Sequence, residues 1–133
     1  MHDTEHLTIP GVHGRDAGKT FFVCEIDPLT LSGYVLRLVS AVRVASYETL
    51  LAEIEAATSR DEPPIDTIMQ LLQGADPAAV HALITELIMG YVLVSPDPKH
   101  PGVMRKLMRD DIREIRTLGD VLMGIFKFNF TGA

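Results

Sequence analysis

Lys19-Thr20-Phe21-Phe22-Val23-Cys24-Glu25-Ile26-Asp27-Pro28 is the stretch in which the chain changes period. Lys19 to Ile26 is rich in β-branched and aromatic side chains and reads as a strand. Asp27-Pro28 then supplies an N-cap and a first-turn proline, and a helical period follows. Toward the N-terminus, His6-Leu7-Thr8-Ile9 is another short run of the β type. Between the two lies Pro10-Gly11-Val12-His13-Gly14-Arg15-Asp16-Ala17-Gly18, with three glycines and a proline. Two strands around a turn-rich segment predict a long-looped hairpin over residues 5–26. An isolated hairpin is marginal in water, so it is expected to lie on the helices that follow.

Leu31, Val35, Leu38, Val42 and Ala45 fall at alternating spacings of four and three, one helical stripe. Ser46 can cap a second helix, on which Leu50, Ile54 and Ala57 align. Ser59 to Pro64 is linker-like and is read as a loop inside one domain. Ile65, Ile68, Met69 and Leu72 make a short third helix ended at Gly74. Asp76-Pro77 starts a fourth, whose wide apolar face is Val80, Leu83, Ile84, Leu87, Ile88 and Tyr91. Residues 27–95 are thus expected to be a helical body. Ser95 to Gly102 must be a loop, because its three prolines exclude a helix. Val103 to Met108 is either a short strand or more loop, so residues 96–109 form a Pro-rich loop with a short extended segment. Asp110 or Asp111 then caps a last helix with Ile112, Ile115, Leu118, Val121, Leu122 and Ile125 on its buried side. Gly119 and Gly124 each cost that helix about 1 kcal/mol against Ala, so its end is expected to be its weakest part. The expected fold is mainly α with a small N-terminal β-hairpin (α+β). It is one compact helical domain over residues 1–133, closed by a C-terminal helix and Phe-rich tail over 110–133.

Composition narrows the function. With 47% apolar and 23% charged residues, the 133-residue chain can build a core unaided. A formal charge of −6 argues against a chain that neutralises phosphates, so no nucleic acid is expected. The single cysteine, Cys24, can make neither an internal disulfide nor a thiolate metal site. Acids stand near the N-terminus where a signal peptide carries bases. The longest strongly apolar run, Leu87 to Val94, is far short of the ~18 residues of a membrane span. A soluble domain in the cytoplasm, without a membrane partner, is the expectation. A mean hydropathy of +0.17 and six methionines leave a surplus of apolar surface. Methionine of this kind serves either an adaptable binding groove or plain core filling.

Gly14-Arg15-Asp16-Ala17-Gly18-Lys19-Thr20 has the outline of a phosphate-binding loop. That motif needs four residues between its glycines and a helix after it. Here there are three, and a strand follows, so no nucleotide cofactor is expected. The histidines, at 2, 6, 13, 81 and 100, are scattered, and only His2 and His6 share a helical spacing. No metal site is expected. No nucleophile–base arrangement or catalytic carboxylate pair can be nominated, so no catalytic residue is expected either, and Cys24 reads as a structural thiol. Arg105, Lys106 and Arg109 make one local basic patch, suited to an acidic partner or to solubility. Phe126-Lys127-Phe128-Asn129-Phe130 is more unusual. On a strand Phe126, Phe128 and Phe130 would share one face, available to a client or another copy of the chain; alternatively they tuck back into the core.

The loop Gly14 to Thr20, with its strand, acid-led turn and a helix carrying Tyr34-Val35-Leu36-Arg37, resembles the tail assembly chaperones of long-tailed bacteriophages and prophages. Asp110-Asp111-Ile112-Arg113-Glu114-Ile115, leading to a Phe-rich end, is similar too. The resemblance covers about the first 45 residues and the last 25. It departs from the family's pattern at Tyr34, where a tryptophan is expected, and in the Pro-rich loop. It implies a largely helical, non-enzymatic protein of the host cytoplasm that binds the tape measure protein before tail-tube polymerisation and is absent from the mature virion. It also implies a frameshifted extension that recruits the tail tube protein. A structural or adaptor protein of the tail is the alternative.

Overall fold

β1 (His6–Pro10) and β2 (Thr20–Cys24) pair antiparallel as the hairpin that the sequence predicts, and the register sets Leu7 opposite Val23 and Ile9 opposite Phe21. In the computed structural model, which describes residues 6–43, 46–59 and 61–131, this hairpin is half of a larger sheet. β3 (Val92–Ser95) pairs with the other edge of β2, and β4 (Arg105–Lys106) pairs with β3, giving the order β1-β2-β3-β4. β3 corrects the expectation that the helical body runs to residue 95. The helix before it ends at Tyr91, and Val92 takes an extended backbone (φ −127°, ψ 128°) with no loop between. Val92 and Val94 are β-branched and buried against the helices, where a strand serves them better than another helical turn. β4 settles the open reading of residues 103–108: two residues of strand in an otherwise irregular segment.

Four helices come next. In α1 (Pro28–Val42) the Asp27 carboxylate accepts the Thr30 N–H at 3.0 Å, the N-cap expected of it. Leu38 is buried and Leu31, Val35 and Val42 are half-buried; Ala45 lies outside the described residues. α2 (Tyr47–Thr58) is capped by the Ser46 hydroxyl and buries Leu50, Ile54 and Ala57. α3 (Pro64–Leu71) buries Ile68 but leaves Met69 on the surface, and the chain turns back at Gly74 with φ +82°. α4 (Pro77–Tyr91) buries Val80, Leu83, Leu87 and Ile88. It is tied to α1 by an edge-to-face contact of Tyr34 with Tyr91 and by the two parallel hydrogen bonds, both 2.8 Å, from Arg37 to Glu86. No single helix among the described residues is long and apolar enough to cross a membrane.

The C-terminal helix differs most from expectation. Residues Arg109–Asp111 form a 3₁₀ turn, and α5 (Ile115–Ile125) starts only at Ile115. Asp111 is not its cap: its carboxylate takes both guanidinium hydrogen bonds of Arg105, each 2.7 Å, and the Met108 N–H at 2.7 Å. Ile115, expected inside, is 64% exposed, and Ile112 is half-buried. Val121, Leu122 and Ile125 are buried as expected. The two glycines of α5 are contact points. A Cβ on Gly119 would stand 2.6 Å from the Cα of Ile65, and one on Gly124 would enter the side chain of Ile9. Their poor helix propensity is the condition for laying α5 against α3 on one side and β1 on the other.

The Phe-rich end is not a strand. Phe126–Phe130 continues α5 as one π-helical turn, so the three rings do not share a face. Phe126 and Phe130 are 1% and 4% exposed, pack on each other at 5.5 Å, and belong to the chain's own core; Phe128 is half-buried. The side chain of Asn129 fastens this turn to the end of β2, accepting from the Ile26 N–H at 2.8 Å and donating to the Cys24 carbonyl at 3.2 Å.

Candidate functional site

The loop that resembles a phosphate cradle is closed on itself. Gly14–Asp16 is a 3₁₀ turn between β1 and β2, and it leads into a strand. The Asp16 side chain has no exposed surface. Its carboxylate accepts the N–H groups of Arg113, at 3.0 and 3.1 Å, and of Glu114, at 2.9 Å, as well as the Lys19 ammonium at 3.2 Å. It therefore satisfies the backbone at the start of α5, from about a hundred residues away in sequence. Burial pushes the Asp16 carboxyl up, but the Thr117 hydroxyl, these N–H groups and Lys19 outweigh it and hold it below its ordinary value. Lys19 donates its other hydrogen bond to the Asp111 carbonyl at 2.8 Å, so the lysine that would meet a phosphate is already committed. Arg15 likewise reaches Glu114 and the Arg113 carbonyl.

The remaining candidates are scattered as well. His13 bonds Asp120 and His100 bonds Asp97, both at 2.8 Å, while His6 lies edge-on to Phe22. The pairing of His2 with His6 falls outside the described residues. No group of three His, Cys, Asp or Glu among the described residues could hold a metal ion. Cys24 is half-buried, and burial pushes its thiol up, away from the reactive thiolate. The basic patch is split: Arg105 is held by Asp111, whereas Lys106 and Arg109 are exposed and make no ion pair among the described residues. The Arg105 hydrogen bonds are the main reason that the Asp111 carboxyl lies below its ordinary value.

What the fold leaves open is a groove beside this patch. It measures about 280 Å³ and runs between α4 and the segment that crosses from β4 to α5. Ile88 and Leu107 are buried at its floor; Ile84, Met89, Ile112 and Leu118 are half-buried along its walls. Met108, 58% exposed, forms one lip, and Arg109 and His81 stand at the mouth. Thr85 also lines it, but its hydroxyl donates to the His81 carbonyl at 2.8 Å and asks for no ligand. A larger hollow of about 470 Å³ between α1 and α4 is bordered by Arg37, Ser40, Arg43 and Asp76 and is the more polar of the two. The groove suits an apolar side chain from outside and offers no set of convergent polar groups for a small molecule. The surplus of methionine and apolar residues in the sequence was a sign of such a surface. Its position was hidden, because Ile112 is expected in a helix and inside.

Compared with known proteins, the chain matches no protein-family model, no curated protein and no solved structure.

Proposed function

We propose that the chain is a non-enzymatic tail assembly chaperone, which binds the tape measure protein during phage tail morphogenesis in the host cytoplasm and leaves before the virion is complete. The observation that carries this reading is the open apolar groove with an exposed methionine at its lip. Methionine's unbranched, polarizable side chain adapts to varied apolar surfaces, which a protein holding a long helical client needs. The resemblance of Gly14 to Thr20 and of the C-terminal segment to that family supplies the identity of the client. The closed state of the Gly14–Lys19 loop supports a structural role for its charged residues. A frameshifted longer form would add the tail tube protein as a further partner.

Co-expression with a phage tape measure protein tests the proposal. The client is expected to stay in the supernatant and to purify with this chain, and purified particles are expected to lack the chain by mass spectrometry. Recovery of the chain in stoichiometric amounts from particles favours a structural or adaptor protein of the tail. A client that aggregates equally with and without the chain overturns the reading.

A further inference from the structure

We propose that α1 is the surface on which two copies of this chain meet, packed antiparallel about a two-fold axis between Gly33 and Leu36. Over Pro28–Val42 the helix carries one charged residue, Arg37, and Glu86 holds it. On one side of the helix Leu38 is buried. Leu29, Gly33, Leu36 and Ser40, at spacings of four, three and four, share the opposite face and are exposed. At 84% and 71%, Leu29 and Leu36 are the most exposed large apolar side chains among the described residues. Gly33 adds a second sign. A Cβ there would meet nothing within 4 Å and its φ is not positive, so the chain's own fold makes no use of a residue that weakens the helix. A close approach from outside does use it.

The order of large and small side chains selects the partner. Spacings of four and three make the seam of a coiled coil, with knobs of one helix seated in holes of the other. On a second α1 running antiparallel about that axis, Leu29 falls opposite the partner's Ser40, and Leu36 opposite the partner's Gly33. The two-fold repeats both pairs, so every leucine meets a small residue. A parallel pair would instead set leucine against leucine. Beside Ser40 opens the hollow of about 470 Å³ between α1 and α4, with Ala41, Ala79 and Ala82 in its walls, and it gives the partner's Leu29 room. Charge selects the same direction. Glu25 and Asp27 stand at the N-terminal end of α1, and Arg43 stands at its C-terminal end. Glu25 and Arg43 are exposed and make no ion pair among the described residues; Asp76, which borders the same hollow as Arg43, is not paired with it either. The antiparallel arrangement brings each Arg43 to the acidic end of the partner helix, whereas a parallel one puts like ends together. One helix pair makes a small interface, below about 1,200 Å² in total, so the dimer is weak and reversible.

Sedimentation velocity of the whole chain over a concentration series tests the proposal, and reversible exchange between monomer and dimer is expected. Leu36→Ser should weaken the dimer roughly tenfold or more, since the two-fold removes the contact twice. Gly33→Leu should weaken it as much, while circular dichroism and the melting temperature of the dilute chain stay at or above those of the parent. Nothing in the chain's own fold touches that position. Arg43→Glu and Glu25→Arg should each weaken self-association, and mixing the two variants should restore it, because only the mixed pair brings opposite charges together at both ends. A chain that is monomeric at every concentration overturns the proposal, and so does a dimer indifferent to Leu36→Ser and Gly33→Leu. A mixture of the charge variants that associates no better than either alone overturns the antiparallel register. Uptake of the monomer onto phosphatidylcholine vesicles, abolished by Leu36→Ser, makes a lipid surface the occupant and overturns the second copy.

Discussion

Residues 11–19 and residues 103–112 both meet at the start of α5, the first by packing on it and the second by leading into it, and they treat their side chains in opposite ways. The hairpin loop, 11–19, carries the residues with the most reactive character in sequence, Arg15, Asp16 and Lys19, and spends every one of them on the chain itself. The connection 103–112 reads as ordinary chain after a Pro-rich loop, yet it exposes Val103, Met104 and Met108 and holds cations without partners. The difference teaches that chemical character in a sequence does not measure availability. A buried carboxylate is tolerated only when donors surround it, and once they do, it has nothing left for a ligand. Apolar side chains on a surface make no such demand, so they stay open until something covers them.

The contrast can be broken at several points. Replacing Asp16 with Ala should have the largest effect, because it strands Lys19 and the N–H groups of Arg113 and Glu114 in a buried setting. A loss of about 3–5 kcal/mol is expected in urea unfolding; less than about 1 kcal/mol would mean that the loop is no latch. Gly11→Ala comes next. Its new Cβ would run into the Asp16 carbonyl and stand 3.1 Å from that of Lys19, so the loop must shift, at about 1–3 kcal/mol in the same assay.

Acid probes the same latch from another side. Asp16 and Asp111 both lie below their ordinary values in the folded chain, so each contributes stability that is fully present above about pH 4, the unfolded value. That contribution is lost as pH falls through the lower folded values. Urea midpoints should therefore stay level from about pH 7 to pH 5 on this account and fall below about pH 4. Asp16→Asn should flatten the fall, and an unchanged acid slope would remove Asp16 from the latch. The smallest effect belongs to the groove. Met108→Ser and Arg109→Ala should each change stability by less than about 0.5 kcal/mol, since both side chains face solvent. A larger loss would show that the groove's lip is part of the fold and not a surface kept for a partner.

Local signals were legible wherever a residue acts within its own turn. Asp27 and Ser46 cap the helices they precede, the hairpin has the expected strands, and Leu50, Ile54 and Ala57 are buried together. These depend on period and capping, which adjacent residues carry. Expectation fails where two distant segments compete for the same groups. Asp111 has the right residue type for an N-cap, but Arg105 and the Met108 N–H claim its carboxylate and Asp16 supplies the bonds instead. Phe126 and Phe130 alternate as a strand would, yet the tail continues α5 because the space beside α2 and the end of β2 accepts their rings in a helical turn.

The amino-acid sequence by itself determined the mainly helical class, the N-terminal hairpin, the caps of α1 and α2 and the apolar stripes of the helices. Each follows from interactions spanning a few residues, whose energy does not wait for the rest of the fold. Tertiary structure alone decided that Val92–Ser95 joins the sheet, that Gly119 and Gly124 are contact points and that Asp16 anchors α5. It also decided that the open surface lies over Ile84, Met108 and Ile112. Those outcomes turn on which of several compatible partners reaches a group first with good geometry, and that is settled only when segments up to about a hundred residues apart are packed together.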